Sequence, residues 1–303
     1  MRAAVRGPRP LFSVGDEVKA GAYRVMARFH RSVLLQDSRG HPCFVVNREI
    51  GAGPLNVVAR APLEWVTAAE NVRWVLKAGE LEGVPVYSSS WPEFPENTAH
   101  RLCSALGRWL DDVAPADSLI SLFQSGQDAS REVLPMDTMQ RNRDARFILA
   151  FRLAEAGRWT DFAGLIRGCG AGLTPSGDDF LSGVMLGMRL TGAKEMRTVA
   201  RAARGGNVVS NAFLSLAARG RLNEPLKRWM LNPTPKTLVA AAALGHTSGV
   251  DLLCGMRWFL ERHERRLRER AAAQERKEIA VGLTRAERER ICRRRAVEKK
   301  TAD

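Results

Sequence analysis

The sequence predicts an α+β protein, with a small β-rich, barrel-like N-terminal domain followed by a mainly helical C-terminal domain. Up to about Pro62, short β-type runs alternate with turn formers. From Asp137 onward the apolar residues recur at helical spacing almost throughout. A chain of 303 residues with 45% hydrophobic and 26% charged residues is long and apolar enough to bury one large core or two ordinary ones.

In chain order, Tyr23 to Ala27, Ser32 to Gln36, Cys43 to Val46 and Leu55 to Val58 read as strands, and Asp37 to Gly40 and Gly51 to Pro54 as turns. A mixed pattern follows Pro62 and ends in the proline-punctuated loop Ser88 to Pro95. Asn97 or Thr98 then caps a helix through Leu110. Phe147, Leu149, Ala150 and Leu153 mark one later helix, and Leu181, Val184, Met185 and Met188 another. Val199 to Ala218, Lys236 to Leu244 and Val250 to Leu260 continue the helical trend. The expected division is a β-rich domain over 1–65, a connecting segment over 66–96, a helical ligand-binding domain over 97–262 and a charged basic tail over 263–303.

No apolar run approaches the roughly 20 residues of a membrane-spanning helix, and the N-terminus lacks a signal-peptide core, so a cytoplasmic protein is expected. Five cysteines stand singly with no C-x-x-C pair, which argues against a disulfide framework or a zinc site. The net charge is +14, and residues 261–303 carry a surplus of 6. Their mixed signs, opposite-charge pairs such as Glu264 with Arg268, and lack of aromatics fit a solvated helix or a frayed tail better than a nucleic-acid arm.

One short motif occurs twice. Ser176-Gly-Asp-Asp-Phe-Leu-Ser-Gly183 and Ser248-Gly-Val-Asp-Leu-Leu-Cys-Gly255 share the pattern S-G-x-D-[FL]-L-x-G. A serine three residues before an aspartate, ahead of an apolar run, reads as a capping box, so each copy opens a helix. Gly177 and Gly249 leave the first turn bare, where free N–H groups and the positive helix end suit an anion. Asp178, Asp179 and Asp251 oppose that reading with negative charge in the same turn. A ligand carrying both anionic oxygens and N–H donors would reconcile the two, as would a divalent metal bridging the acidic turn to phosphate. The alternative is a pair of plain helix caps, with Gly183, Gly187 and Gly255 serving close packing.

The approaches favour a site. Gly168 to Pro175 is a bare loop containing Gly172 and Thr174, and Gly245-His246-Thr247 sets an imidazole beside the second cap. A neutral imidazole there can donate to an oxyanion or exchange a proton. His246 and Asp179 are therefore the catalytic candidates. Gly172, Thr174, Ser176, Gly177, Asp178, Thr247, Ser248, Gly249 and Asp251 are the substrate-binding ones. Neither a dinucleotide fingerprint nor a G-x-S-x-G elbow is present.

Gly172 to Gly183 together with Gly245 to Gly255 resembles the paired signature of a family named for a subunit of oxamate carbamoyltransferase. Gly51 to Val58 and Ser210 to Gly220 resemble it too, and the similarity covers about residues 15–262, leaving the tail outside. The resemblance implies exchange between oxalurate plus phosphate and oxamate plus carbamoyl phosphate in purine-nitrogen catabolism, by an enzyme built from different subunits. Its ligand would be carbamoyl phosphate or a small carboxylate, its partners the other carbamoyltransferase subunits, and it would need no organic cofactor. A non-catalytic scaffold or carboxylate-binding subunit is the competing expectation.

Overall fold

A computed structural model of the chain describes residues 11–59, 73–124 and 138–280, together with 287, 289 and 290. Residues 60–72, which span the expected boundary between the β-rich domain and the connecting segment, and most of the tail beyond 280 lie outside the described residues. The chain divides into two compact units, residues 1–259 and 260–303.

Among the described residues, seven strands form one curled sheet, followed by a mainly helical part, as the sequence patterns predict. The strands are β1 (Leu11–Gly15), β2 (Gly21–Phe29), β3 (Ser32–Asp37), β4 (Pro42–Val46), β5 (Asn56–Ala59), β6 (Arg73–Leu76) and β7 (Val86–Tyr87). Their order across the sheet is β6-β2-β3-β4-β5-β1-β7. β4 with β5 and β1 with β7 pair in parallel, and the other neighbours pair antiparallel. Strands β1, β6 and β7 escaped the sequence reading because they are short or follow a proline-rich or mixed stretch.

Side chains alternate across a strand, and here both faces are buried. Val33 and Leu35 of β3 join Val45, Val57 and Trp74 in one core, whereas Leu34 joins Phe44, Val46 and Val58 in a second. The second core is closed by Val209 and Leu216 of the helix Val208–Arg219, with Leu173 packed against it. The sheet is thus the floor on which a loop near the repeated motif rests.

The helices are α1 (Thr98–Val113), α2 (Ser121–Gln124), α3 (Thr138–Glu155), α4 (Trp159–Ile166), α5 (Ser176–Leu190), α6 (Met196–Ala202), α7 (Val208–Arg219), α8 (Glu224–Leu231), α9 (Pro235–Ala242) and α10 (Ser248–Ala280). The run expected from Val199 to Ala218 is two helices, since Asn207 accepts the amides of Val209 and Ser210 and so starts α7 afresh. In α3 the buried stripe is Phe147, Ala150 and Ala154, while Leu149 is exposed. Tertiary packing, not apolarity alone, selected that stripe. Within the second unit α10 continues to Ala280, and the foreseen Arg268–Glu264 pair forms at 3.2 Å. None of the described helices is long and apolar enough to cross a membrane.

The two motif helices, α5 and α10, cross in direct backbone contact. A Cβ on Gly183 would lie 1.8 Å from the Leu252 carbonyl oxygen, and one on Gly255 would lie 2.0 Å from that of Phe180. Equivalent positions of the two copies therefore meet reciprocally, as across a local two-fold axis. An aromatic cluster backs the crossing: Trp258 stacks on Phe151 at 4.9 Å and on Phe162 at 5.1 Å, and Phe147 meets Phe180 edge-on.

Candidate functional site

Each motif copy is delivered by the same local device. Helix α4 runs to Ile166 and α9 to Ala242. The chain then turns and enters α5 or α10 so tightly that the second motif residue must be glycine. A Cβ on Gly177 would sit 1.8 Å from the Ile166 carbonyl oxygen, and one on Gly249 would sit 2.5 Å from that of Ala241. The amides of these glycines donate to the Cys169 and Leu244 carbonyls, both at 2.8 Å. Gly177 and Gly249 thus hold the turns together, and their N–H groups are already engaged.

The capping-box reading is corrected in its details. Ser176 is the first residue of α5, Pro175 holds the cap position, and no side chain caps the helix. A proline with extended ψ has displaced the serine by one place. The hydroxyls turn instead to the opposite copy: hydrogen bonding from Ser248 acts on Asp179, and hydrogen bonding from Ser176 acts on Asp251. Thr174 Oγ1 meets Ser248 Oγ at 2.9 Å, which joins the two loops directly.

The two carboxyls differ in their support. Asp251 is fully buried and its Oδ1 accepts the Leu119 amide at 2.7 Å. Burial raises its pKa, and the Leu119 amide, Ser176, Thr247 and Arg143 oppose the rise. Burial pushes Asp179 well above the usual carboxylate range, with the charges of Asp251 and Asp178 adding to it and hydrogen bonding from Ser248 and Thr174 subtracting. The Oδ2 atoms of Asp179 and Asp251 are both buried without a hydrogen-bond partner.

Thr174, Ser176, Asp179, Thr247, Ser248 and Asp251 are therefore brought together. Asp178 faces elsewhere: its Oδ1 accepts the Gly168 amide at 2.7 Å, and it lines a cavity of about 190 Å³ with Arg167, Asn207 and Asn211. Gly172 adopts φ +95 with open space where a Cβ would be, so the first approach loop is bare there. His246 is exposed and its Nε2 lies 3.0 Å from Asp117 Oδ2, at the rim of the second loop. Among the described residues, no group of three or more His, Cys, Asp or Glu side chains is placed to hold a metal ion.

Arg143, Asp117 and the Leu119 amide escaped the sequence reading. Arg143 of α3 binds the Asp117 carbonyl at 2.8 Å and the Ser118 carbonyl at 3.2 Å, and pairs with Asp144 at 2.9 Å. It fixes the turn that carries the Leu119 amide to Asp251 and the Asp117 carboxylate to His246. Nothing local marks that turn, whose neighbours in space are remote in sequence. Asn207, the α7 cap, similarly donates to the Leu173 carbonyl at 2.9 Å and ties the first loop to the helix on the sheet.

The fold and the site define a chain with an internally duplicated helix–loop–helix, whose two loops converge on a pair of buried carboxyls. The family described as oxamate carbamoyltransferase subunit AllH matches residues 166–260, a span that begins at the last residue of α4 and contains both loops and the crossing. No solved structure matches the chain.

Proposed function

We propose that this chain is a subunit of a carbamoyltransferase that acts on oxamate or oxalurate and carbamoyl phosphate together with other subunits. The observation that carries this reading is that the family match spans both converging loops, joined through the Thr174–Ser248 contact. In the transfer, the N-carbamoyl bond of oxalurate breaks as a phosphate oxygen attacks the carbamoyl carbon. Oxamate leaves as its amide nitrogen takes up the proton that the attacking phosphate gives up.

This chain's own groups suit the binding and proton side of that chemistry. Thr174, Ser176, Thr247 and Ser248 offer hydroxyls at adjoining helix starts, where the helix dipoles favour negative oxygens. His246, held by Asp117, is exposed enough to meet a ligand or a second subunit and to exchange a proton. Asp179 is a buried carboxyl that stays protonated at higher pH than an ordinary carboxyl.

Thermal unfolding of the assembled complex tests the reading. Oxamate or carbamoyl phosphate at millimolar concentration should raise its melting temperature, and Thr174→Val should abolish the rise, measured against that variant's own unliganded melt. No rise with either ligand, in the presence of all partner subunits, rejects it. A scaffold role has its own support in the engaged amides of Gly177 and Gly249. It predicts full complex activity in the Thr174→Val and His246→Ala variants.

A further inference from the structure

We infer that Asp179 and Asp251 work as one unit, a carboxyl pair across the local two-fold axis that retains a single proton and locks α5 to α10. Each aspartate immediately precedes the residue whose carbonyl abuts the other copy's glycine, so both lie beside the crossing point. Each faces a serine of the opposite copy. Asp179 is 8% exposed and Asp251 is 0% exposed, and the Oδ2 atom of each is buried and unpartnered. Two like charges in such a place are costly, and two acceptors without a donor are unsatisfied. One retained proton removes one of the two charges and supplies the donor that this pair of oxygens lacks.

The charged and titratable groups around the pair do not replace that proton. Asp178 on α5 adds negative charge, and its own Oδ1 is turned to the Gly168 amide. On α10, Cys254 is buried and its pKa is raised, and Arg257 pairs with Asp111 of α1 at 3.1 Å. Among the described residues, Arg143 of α3 is a cation whose charge reaches Asp251, and it is held by Asp144 and the carbonyls of Asp117 and Ser118. The difference in support assigns the proton: Asp251 has a backbone donor and Arg143, whereas Asp179 has hydroxyls only.

The proton also resolves the conflict that the motif poses, because a neutral Asp179 does not repel an anion at the helix starts. That consequence rests on the ligand reading above, and the lock itself does not.

The sign of the pH effect follows from linkage. A carboxyl whose pKa is raised by folding stabilises fully below its unfolded value of about 4 and loses that stability as pH climbs through the folded value. Melting of the full chain between about pH 5 and pH 8, with and without oxamate, should therefore separate wild type from Asp179→Asn and Asp251→Asn. Either amide supplies a permanent neutral partner, so its melting temperature should rise relative to wild type as pH increases. The double variant should show no further pH dependence than the singles. An infrared carboxyl band present in wild type near neutral pH and absent in Asp179→Asn gives the same result where a variant is too unstable to melt cleanly. Offsets that are independent of pH, or no protonated-carboxyl band in wild type, overturn the pair. A pH-dependent offset with no oxamate effect in any partner context keeps the pair and rejects the ligand reading.

Discussion

The first copy of the motif, on α5, and the second, on α10, share one backbone plan and differ in how firmly their carboxyls are held. Asp251 is anchored by the Leu119 amide at 2.7 Å and lies at full burial. Asp179 retains slight exposure, takes its hydrogen bonding from hydroxyls and follows a bare glycine loop. The histidine sits on the other side, at the approach to the firmly held copy. The crossing is thus symmetric while the support of the two carboxyls is not: one half is anchored by a backbone amide, and the other, held by hydroxyls that can rotate, is adjustable.

The largest effect should come from breaking the crossing that both copies share. In an ordinary helix an alanine is about 1 kcal/mol more favourable than glycine. At Gly183 and Gly255 the new methyl would meet backbone carbonyls at 1.8 and 2.0 Å, so either change to alanine should instead cost about 3 kcal/mol in urea unfolding. Gly164, in α4 with open space around it, is the control and should gain up to about 1 kcal/mol as alanine. A mild effect at Gly183 and Gly255 would mean that the helices do not touch.

The next effect sharpens the contrast between the carboxyls. Ser248→Ala leaves Asp179 with Thr174 alone, whereas Ser176→Ala leaves Asp251 with the Leu119 amide and Thr247. Losses of about 2 and about 1 kcal/mol respectively are expected by thermal or chemical unfolding. The reverse order would contradict the assignment of anchor and adjustable half. Smallest is His246→Ala, which removes an exposed pair with Asp117 and should change stability by less than about 0.5 kcal/mol. Its effect on the activity of the assembled complex is then a clean reading of function.

Much of this was visible in the chain, because patterns with a fixed period are local. The strands around Val33, Val45 and Val57 and the starts of α5 and α10 announced themselves by alternation and by the repeated serine and glycine. Which serine serves which aspartate was not visible, since S-G-x-D reads identically whether a serine serves its own helix or the opposite one. Pro175 was the available hint, since a proline beside the serine marks a helix start of its own. The support from Arg143 and Leu119 was hidden because a backbone amide has no signature in a sequence. Leu149 misled for a different reason: apolar residues on neighbouring helix faces look alike until packing chooses one.

The reciprocal glycines also set a rule for how this chain can drift. Wherever Gly183 meets Leu252 and Gly255 meets Phe180, a change in one copy is felt by the other, so the duplicated halves are bound to a common inheritance at these positions. Apart from the Thr174–Ser248 contact and the tight turn at Gly170, the approach loops carry less of that obligation. Change can therefore accumulate at exposed loop positions such as Ala171 and His246, while the crossing beneath them remains a shared and nearly immutable pin.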